Sequence, residues 1–82
     1  MMPIEQMREK VDAIDVRIVR LLEERVDLAR KIGEAKRKNN LPMRDLQREQ
    51  DVLIRVTEKT RLNKGFVKKL FEGVMEYCRE NE

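Results

Sequence analysis

Apolar residues recur at steps of three and four residues through the first half of the chain. They fall at Ile4, Met7, Val11, Ile14, Ile18 and Leu21, and resume at Leu28, Ile32 and Ala35. This spacing is a heptad pattern and predicts an amphipathic helix over about residues 4–38. A helix of that length spans roughly 50 Å, too long to fold back on a small domain. We therefore expect it to pack against a second copy of the chain.

The second half of the chain predicts two shorter helices. Asn39-Asn40-Leu41-Pro42 breaks the first pattern, because the proline disfavours helical geometry at the residue before it. A second helix is predicted over about residues 44–59, with Leu46, Leu53 and Val56 on its buried face. A third is predicted over about residues 64–81, capped by Asn63 and burying Val67, Leu70, Phe71, Val74 and Cys78. The fold class is therefore all-α.

The composition restricts the partners of this chain. Its 82 residues suffice for one small domain, which favours oligomerisation. Charged residues make up 43% of the chain, but both signs are mixed and the net charge is only +3, so we expect no nucleic-acid tail. No stretch approaches the ~20 apolar residues of a membrane span, and the start lacks a signal-peptide core. The single Cys78 fits a reducing cytoplasm.

The chain contains no histidine and no serine. This excludes Ser–His and Cys–His nucleophilic catalysis and most zinc or iron sites. Its three glycines are isolated, so there is no glycine-rich phosphate loop. The remaining chemistry belongs to Arg, Lys, Asp and Glu, a set suited to binding an anion and stabilising charge that develops on it.

Arg25 interrupts the apolar pattern of the first helix. A charge on an inward face is either paired structurally, extended towards solvent, or available for an anion. Lys36 lies eleven residues further on, at nearly the same azimuth and ~16 Å along the axis. Both side chains could therefore converge on one small ligand, with Ala29, Ile32 and Gly33 as the floor of the pocket.

Each of the other charged residues allows two interpretations of its role. Arg8 lies ~25 Å from Arg25 and about 100° round the helix, so it is either a solvated residue or part of a site in a partner chain. Asp45, Arg48 and Glu49 share one face at the start of the second helix. They form either a surface ion pair with a first-turn acid, or a carboxylate-binding cation beside an acceptor for a hydroxyl group.

Several segments occur together in one order. They are Met7-Arg8-Glu9-Lys10, Asp12-Ala13-Ile14-Asp15, Leu21-Leu22-Glu23-Glu24-Arg25, Ile32-Gly33-Glu34-Ala35-Lys36 and Pro42-Met43-Arg44-Asp45-Leu46-Gln47-Arg48-Glu49. Together they resemble the all-helical class of chorismate mutase, from about residue 4 to residue 55 without a gap and more loosely through Leu70-Phe71.

The resemblance implies a single mutase domain over residues 1–82 that forms an intertwined homodimer. Its activity would be that of an isomerase, which rearranges chorismate, a dicarboxylate, to prephenate in phenylalanine and tyrosine biosynthesis without metal or cofactor. Arg25 matches the arginine that binds a substrate carboxylate within its own chain. Arg8 matches the arginine that reaches into the partner's site. Lys36 matches the lysine that contacts a carboxylate and the ether oxygen.

The resemblance also assigns roles on the second and third helices. Asp45 and Glu49 match residues around the ring hydroxyl, with the Glu49 side chain as acceptor and the Asp45 backbone contributing. Arg48 matches an arginine that makes the electrostatic potential of the substrate site more positive. Cys78 falls where a hydroxyl residue often contacts a carboxylate. Glu82 falls where many members carry glutamine, and others glutamate, as the second donor to the ether oxygen.

A glutamate donates a hydrogen bond only when it is protonated, so we expect activity to fall as pH rises through the titration of Glu82. Two alternative functions remain. An isochorismate-pyruvate lyase on the same scaffold would share Arg8, Arg25 and Lys36. A non-catalytic helical dimerisation module would not need Arg25 in an apolar face.

Overall fold

The computed structural model describes residues 2–82. Three α-helices follow one another: α1 over Ile4–Lys38, α2 over Leu46–Glu58 and α3 over Lys64–Glu80. Residues 2–82 contain no β-strand. The predicted all-α class, with one long and two shorter helices, is confirmed.

Neighbouring residues explain where α1 begins and where it ends. Pro3 is extended, with φ −60° and ψ 148°, and Glu5 places a negative charge in the first turn. Lys36, Arg37 and Lys38 occupy the last turn, where positive charge complements the helix dipole. Asn40 then adopts a positive φ of 55°, a conformation that asparagine tolerates well, and the chain turns towards α2.

The start of α2 differs slightly from the expected boundary. Asp45 is extended, and its side chain accepts a hydrogen bond of 3.0 Å from the backbone N–H of Arg48. Because Asp45 acts as the N-cap, α2 begins at Leu46 rather than near residue 44, and it ends at Glu58. Asn63 caps α3 as predicted, accepting 2.9 Å from the N–H of Phe66. This third helix ends at Glu80, one residue before the expected boundary.

The apolar core is small. Its buried side chains are Ala29, Val52, Val67, Met75 and Cys78. Burial of Val67 and Cys78 was predicted, whereas Leu46 and Leu70 remain 61% and 49% exposed in the single chain. In the single chain, α3 packs against both α1 and α2, and this packing leaves Leu46 and Leu70 uncovered.

The N-terminal half of α1 keeps its apolar stripe exposed. Between 42% and 62% of each of six residues is accessible, namely Ile4, Met7, Val11, Ile14, Ile18 and Leu21. The chain extends 57 Å along its longest axis. No helix among the described residues has the length and apolar character required to cross a membrane.

Candidate active site

A cavity of about 270 Å³ lies where the three helices meet. We call it the charged cavity, because four cationic side chains and three carboxyl groups line it together with apolar ones. Its charged residues are Arg25, Lys36, Asp45, Arg48, Glu49, Arg79 and Glu82. Its other residues are Leu28, Ala29, Ile32, Met43, Val52, Met75 and Cys78.

Arg25 and Cys78 join α1 to α3 at this cavity. The guanidinium of Arg25 donates through Nη1 to Sγ of Cys78 over 3.1 Å. Cys78 is buried and Arg25 is half-buried, so the thiol fixes one edge of the guanidinium plane. An arginine carries five N–H donors, and among the described residues the Arg25 side chain makes this one hydrogen bond, so other donors can meet an anion.

Lys36 reaches the same cavity from one end. Its ammonium donates 2.7 Å to the backbone oxygen of Met43, in the segment between α1 and α2. This bond holds a flexible side chain in place, while the other two of its three N–H donors make no hydrogen bond within residues 2–82. Ala29 and Ile32 line the cavity between Arg25 and Lys36, as the spacing predicted. Gly33 is buried on the same helix but is not among the lining residues.

The residues of α2 have distinct local roles. One carboxylate oxygen of Asp45 accepts the hydrogen bond that caps α2. Glu49 pairs through Oε2 with Arg79 at 2.8 Å and through Oε1 with Arg44 at 3.3 Å. Within residues 2–82, the guanidinium of Arg48 forms no hydrogen bond or ion pair, although it lines the cavity. Arg48 is therefore the cation that α2 contributes to the lining of the charged cavity.

Arg79 was not identified from the sequence. It follows Cys78 directly, lies four residues after Met75 and precedes Glu82 by three. This i, i+3, i+4, i+7 spacing predicts one shared helix face, although the observed α3 ends at Glu80. That spacing was available in the sequence, and it would have placed Arg79 beside two residues that the resemblance assigns to the site.

Glu82 enters the cavity from beyond the end of α3. Its Oε2 atom is buried and has no hydrogen-bond partner within the described part of the chain. Unpaired buried carboxyl oxygens are rare because desolvation penalises them. Its place in the charged cavity makes this oxygen available to a polar group of a ligand.

Arg8 is not brought to the charged cavity of its own chain. It pairs with Glu5 at 3.0 Å, and the two side chains are 71% and 80% exposed. Of the predicted site residues, Arg8 alone lies outside the lining, and the other seven converge.

A second depression lies between α1 and α3. This apolar groove has a volume of about 760 Å³ and is lined mainly by Val19, Leu22, Val26, Leu70, Val74 and Tyr77, with a few charged residues at its sides. Although it is larger, the charged cavity is the better candidate for binding a small anion, because the cations converge there.

Known proteins resemble the chain in sequence and in structure. The family described as chorismate mutase type II matches residues 7–82. The bifunctional chorismate mutase/prephenate dehydratase of Escherichia coli strain K12 is 35% identical over 77 residues, which is 90% of this chain and 20% of the relative. The corresponding protein of Buchnera aphidicola subsp. Schizaphis graminum is 39% identical over 72 residues, or 84% of this chain and 19% of the relative.

The chain thus spans about a fifth of the length of the curated relatives it matches. A solved structure of chorismate mutase from Thermus thermophilus (Form I) superposes with a TM-score of 0.87. The two are 30% identical, over 92% of this chain and 96% of that one. The chain belongs to the chorismate mutase type II family.

Proposed function

We propose that this chain is a chorismate mutase, an isomerase that rearranges chorismate to prephenate in the charged cavity. The observation that carries the proposal is the convergence of Arg25, Lys36, Arg48 and Glu49 on one small cavity in a chain of this family. The reaction breaks one carbon–oxygen bond as it forms one carbon–carbon bond. It needs cations to hold two carboxylates and donors at the ether oxygen, and the cavity offers both.

Substrate binding relies on the cations. Arg25, held by Cys78, binds one carboxylate, and Lys36 contacts a carboxylate and the ether oxygen. Arg48, on α2, makes the electrostatic potential in the charged cavity more positive. Holding a flexible dicarboxylate in a compact, reactive shape removes part of the entropic barrier before the bonds change.

The ether oxygen gains negative charge in the transition state. Donors fixed beside it stabilise that charge more than they stabilise the ground state. Lys36 is the first donor and Glu82, in its protonated form, is the second. Support for Glu82 comes from its position in the cavity and from its buried Oε2 atom without a partner.

The ring hydroxyl is recognised by the start of α2. Glu49 accepts its hydrogen bond, and the backbone at Asp45 contributes. The ion pair between Glu49 and Arg79 supports this role, because it fixes the direction of a carboxyl group whose oxygens can accept a hydrogen bond.

The active enzyme is a homodimer in which α1 of one chain packs along α1 of the other. The exposed apolar stripe on the N-terminal half of α1 supports this assembly, because a lone chain leaves it in water. Arg8 then completes the site of the partner chain, which accounts for its distance from its own cavity.

The biological setting is aromatic amino acid biosynthesis in the cytoplasm. The curated relatives are named as chorismate mutase/prephenate dehydratases, and the latter activity consumes the product of the former. A free cysteine thiol is consistent with a reducing compartment.

The decisive experiment follows the loss of chorismate absorbance with the purified protein and no added metal. We expect conversion to prephenate, and a loss of at least about 100-fold in kcat/KM for Arg25→Ala, since the cation contacts the reacting dicarboxylate. Arg61→Ala removes the same charge from the exposed loop before α3 and should leave the rate unchanged. If native protein leaves chorismate intact, the proposal is wrong. Isochorismate would then be tested, and a stable dimer inactive on both would indicate a dimerisation module.

A further inference from the structure

Glu82 lies outside the helix that precedes it. Helix α3 ends at Glu80, and the backbone N–H of its C-cap, Asn81, bonds back to the oxygens of Tyr77 and Cys78 at 3.2 and 3.3 Å. The backbone hydrogen bond made by Glu82 itself comes from α1, where Nη1 of Arg37 donates 2.9 Å to the Glu82 oxygen. The backbone of Glu82, from which its side chain enters the cavity, is thus held by α1.

Asn81 and Glu82 contact one face of α1. Arg30, Gly33 and Arg37 are spaced i, i+3 and i+7 and therefore share a face. Nε of Arg30 donates 3.3 Å to the Asn81 oxygen, next to the bond from Arg37 to the Glu82 oxygen. Two arginines, two turns apart, thus hold two consecutive backbone oxygens of the segment after α3.

Gly33 provides the room between these arginines. It is buried, and a Cβ atom added there would lie 3.0 Å from Cβ of Glu82, closer than ordinary contact. Glycine therefore permits the segment after α3 to lie directly on α1, with the Glu82 side chain turned into the charged cavity.

The electrostatics favour the same arrangement. The last carbonyl groups of a helix lack intrahelical partners and carry partial negative charge, so nearby cations stabilise them. Arg30 and Arg37 donate just past that end of α3. Because helix ends open locally at little cost, removal of these bonds would release Glu82 first.

We propose that Arg37, assisted by Arg30, is a positioning residue that clamps Glu82 against α1 and so holds its carboxyl group at the reacting ether oxygen. The inference rests on the proposed function for its catalytic consequence. The clamp itself is a structural claim that can be measured separately.

The activity test is a double-mutant cycle between Arg37→Ala and Glu82→Ala. We expect Arg37→Ala to lower kcat about tenfold with KM changed less than about twofold, because Glu82 acts mainly in the transition state. In the Glu82→Ala background, the same change should have no further effect. Arg37→Lys keeps a donor and should recover part of kcat. Lys38→Ala removes the same charge from the same turn of α1 and should leave kcat unchanged.

A second measurement does not depend on activity. Backbone amide relaxation by ¹⁵N NMR reports the order of Glu82 directly. We expect its order to fall in Arg37→Ala and to stay native in Lys38→Ala, while the centre of α3 is unaffected in both.

The outcomes separate the two proposals. Loss of order at Glu82 in Arg37→Ala, when the native protein does not convert chorismate, would support the clamp and overturn the proposed function. Native order at Glu82 in Arg37→Ala would overturn the clamp, as would an undiminished effect of Arg37→Ala in the Glu82→Ala background.

Discussion

Nη1 of Arg79 lies 2.8 Å from Oε2 of Glu49, an ion pair that links α3 to α2 at the wall of the charged cavity. The two side chains are 29% and 19% exposed. Arg44 also pairs with Glu49, at 3.3 Å, but its side chain is 57% exposed. The same carboxylate thus has one sheltered and one solvated partner.

We expect Arg79→Leu to lower the free energy of unfolding by about 1–2 kcal/mol, because Glu49 loses its sheltered counter-charge. We also expect a higher KM for chorismate, since Glu49 is no longer directed at the ring hydroxyl. Urea unfolding and steady-state kinetics measure the two effects. Arg44→Leu is the control and should change stability by less than about 0.5 kcal/mol. Equal effects of the two variants would contradict the prediction.

Gly33→Ala separates stability from activity. Alanine favours a helix over glycine by ~1 kcal/mol, which offsets the strain of moving Glu82 aside. We therefore expect thermal unfolding near that of the native protein but a lower kcat, because the added methyl group displaces the Glu82 carboxyl group. Glu34→Ala, at the exposed neighbouring position, is the control for changes in α1. A Gly33→Ala enzyme with native kcat would show that Glu82 adjusts without losing its role.

Local features of the fold were predictable from the sequence, because neighbouring residues determine them. The heptad spacing predicted α1, and Asn63 caps α3 through its own side chain, three residues from its donor. Arg25 was singled out because it interrupts an apolar face. These features depend on helix geometry alone.

Features that depend on helix packing were not predictable. Glu49 and Arg79 are 30 residues apart, and only the packing of α3 on α2 brings them together. Leu70 was expected in the core but is exposed in the single chain, where it lines the apolar groove. Apolar spacing identifies a helix face but does not say which other helix covers it.

The proposed role of Glu82 as a hydrogen-bond donor predicts that kcat depends on pH. The protonated carboxyl group donates to the ether oxygen and its ionised form cannot, so kcat should be highest at acid pH and fall as the proton is lost. Glu82→Gln donates at any pH and should flatten the profile of kcat between acid and alkaline buffers. Glu80→Gln, on an exposed side chain of α3, should keep the native profile. A flat native profile, or an unchanged shape in Glu82→Gln, would exclude Glu82 as the donor.

The proposed sharing of sites across a dimer is tested with two inactive variants. Arg8→Ala damages the partner's site, and Arg25→Ala damages the site of its own chain. In a mixed dimer, both lesions fall in one site, and the other site regains Arg25 from one chain and Arg8 from the other. Random reassortment after joint unfolding and refolding should therefore restore about a quarter of native activity, given a symmetric dimer.

A matched mixture controls for refolding and for residual activity. Arg25→Ala and Lys36→Ala both damage the site of their own chain, so their mixed dimer has no intact site and should stay inactive. Recovery in the first mixture only would require Arg8 and Arg25 of different chains to serve one site. If neither mixture recovers although both refold as dimers, Arg8 and Arg25 of different chains do not serve one site, and the proposed sharing is wrong.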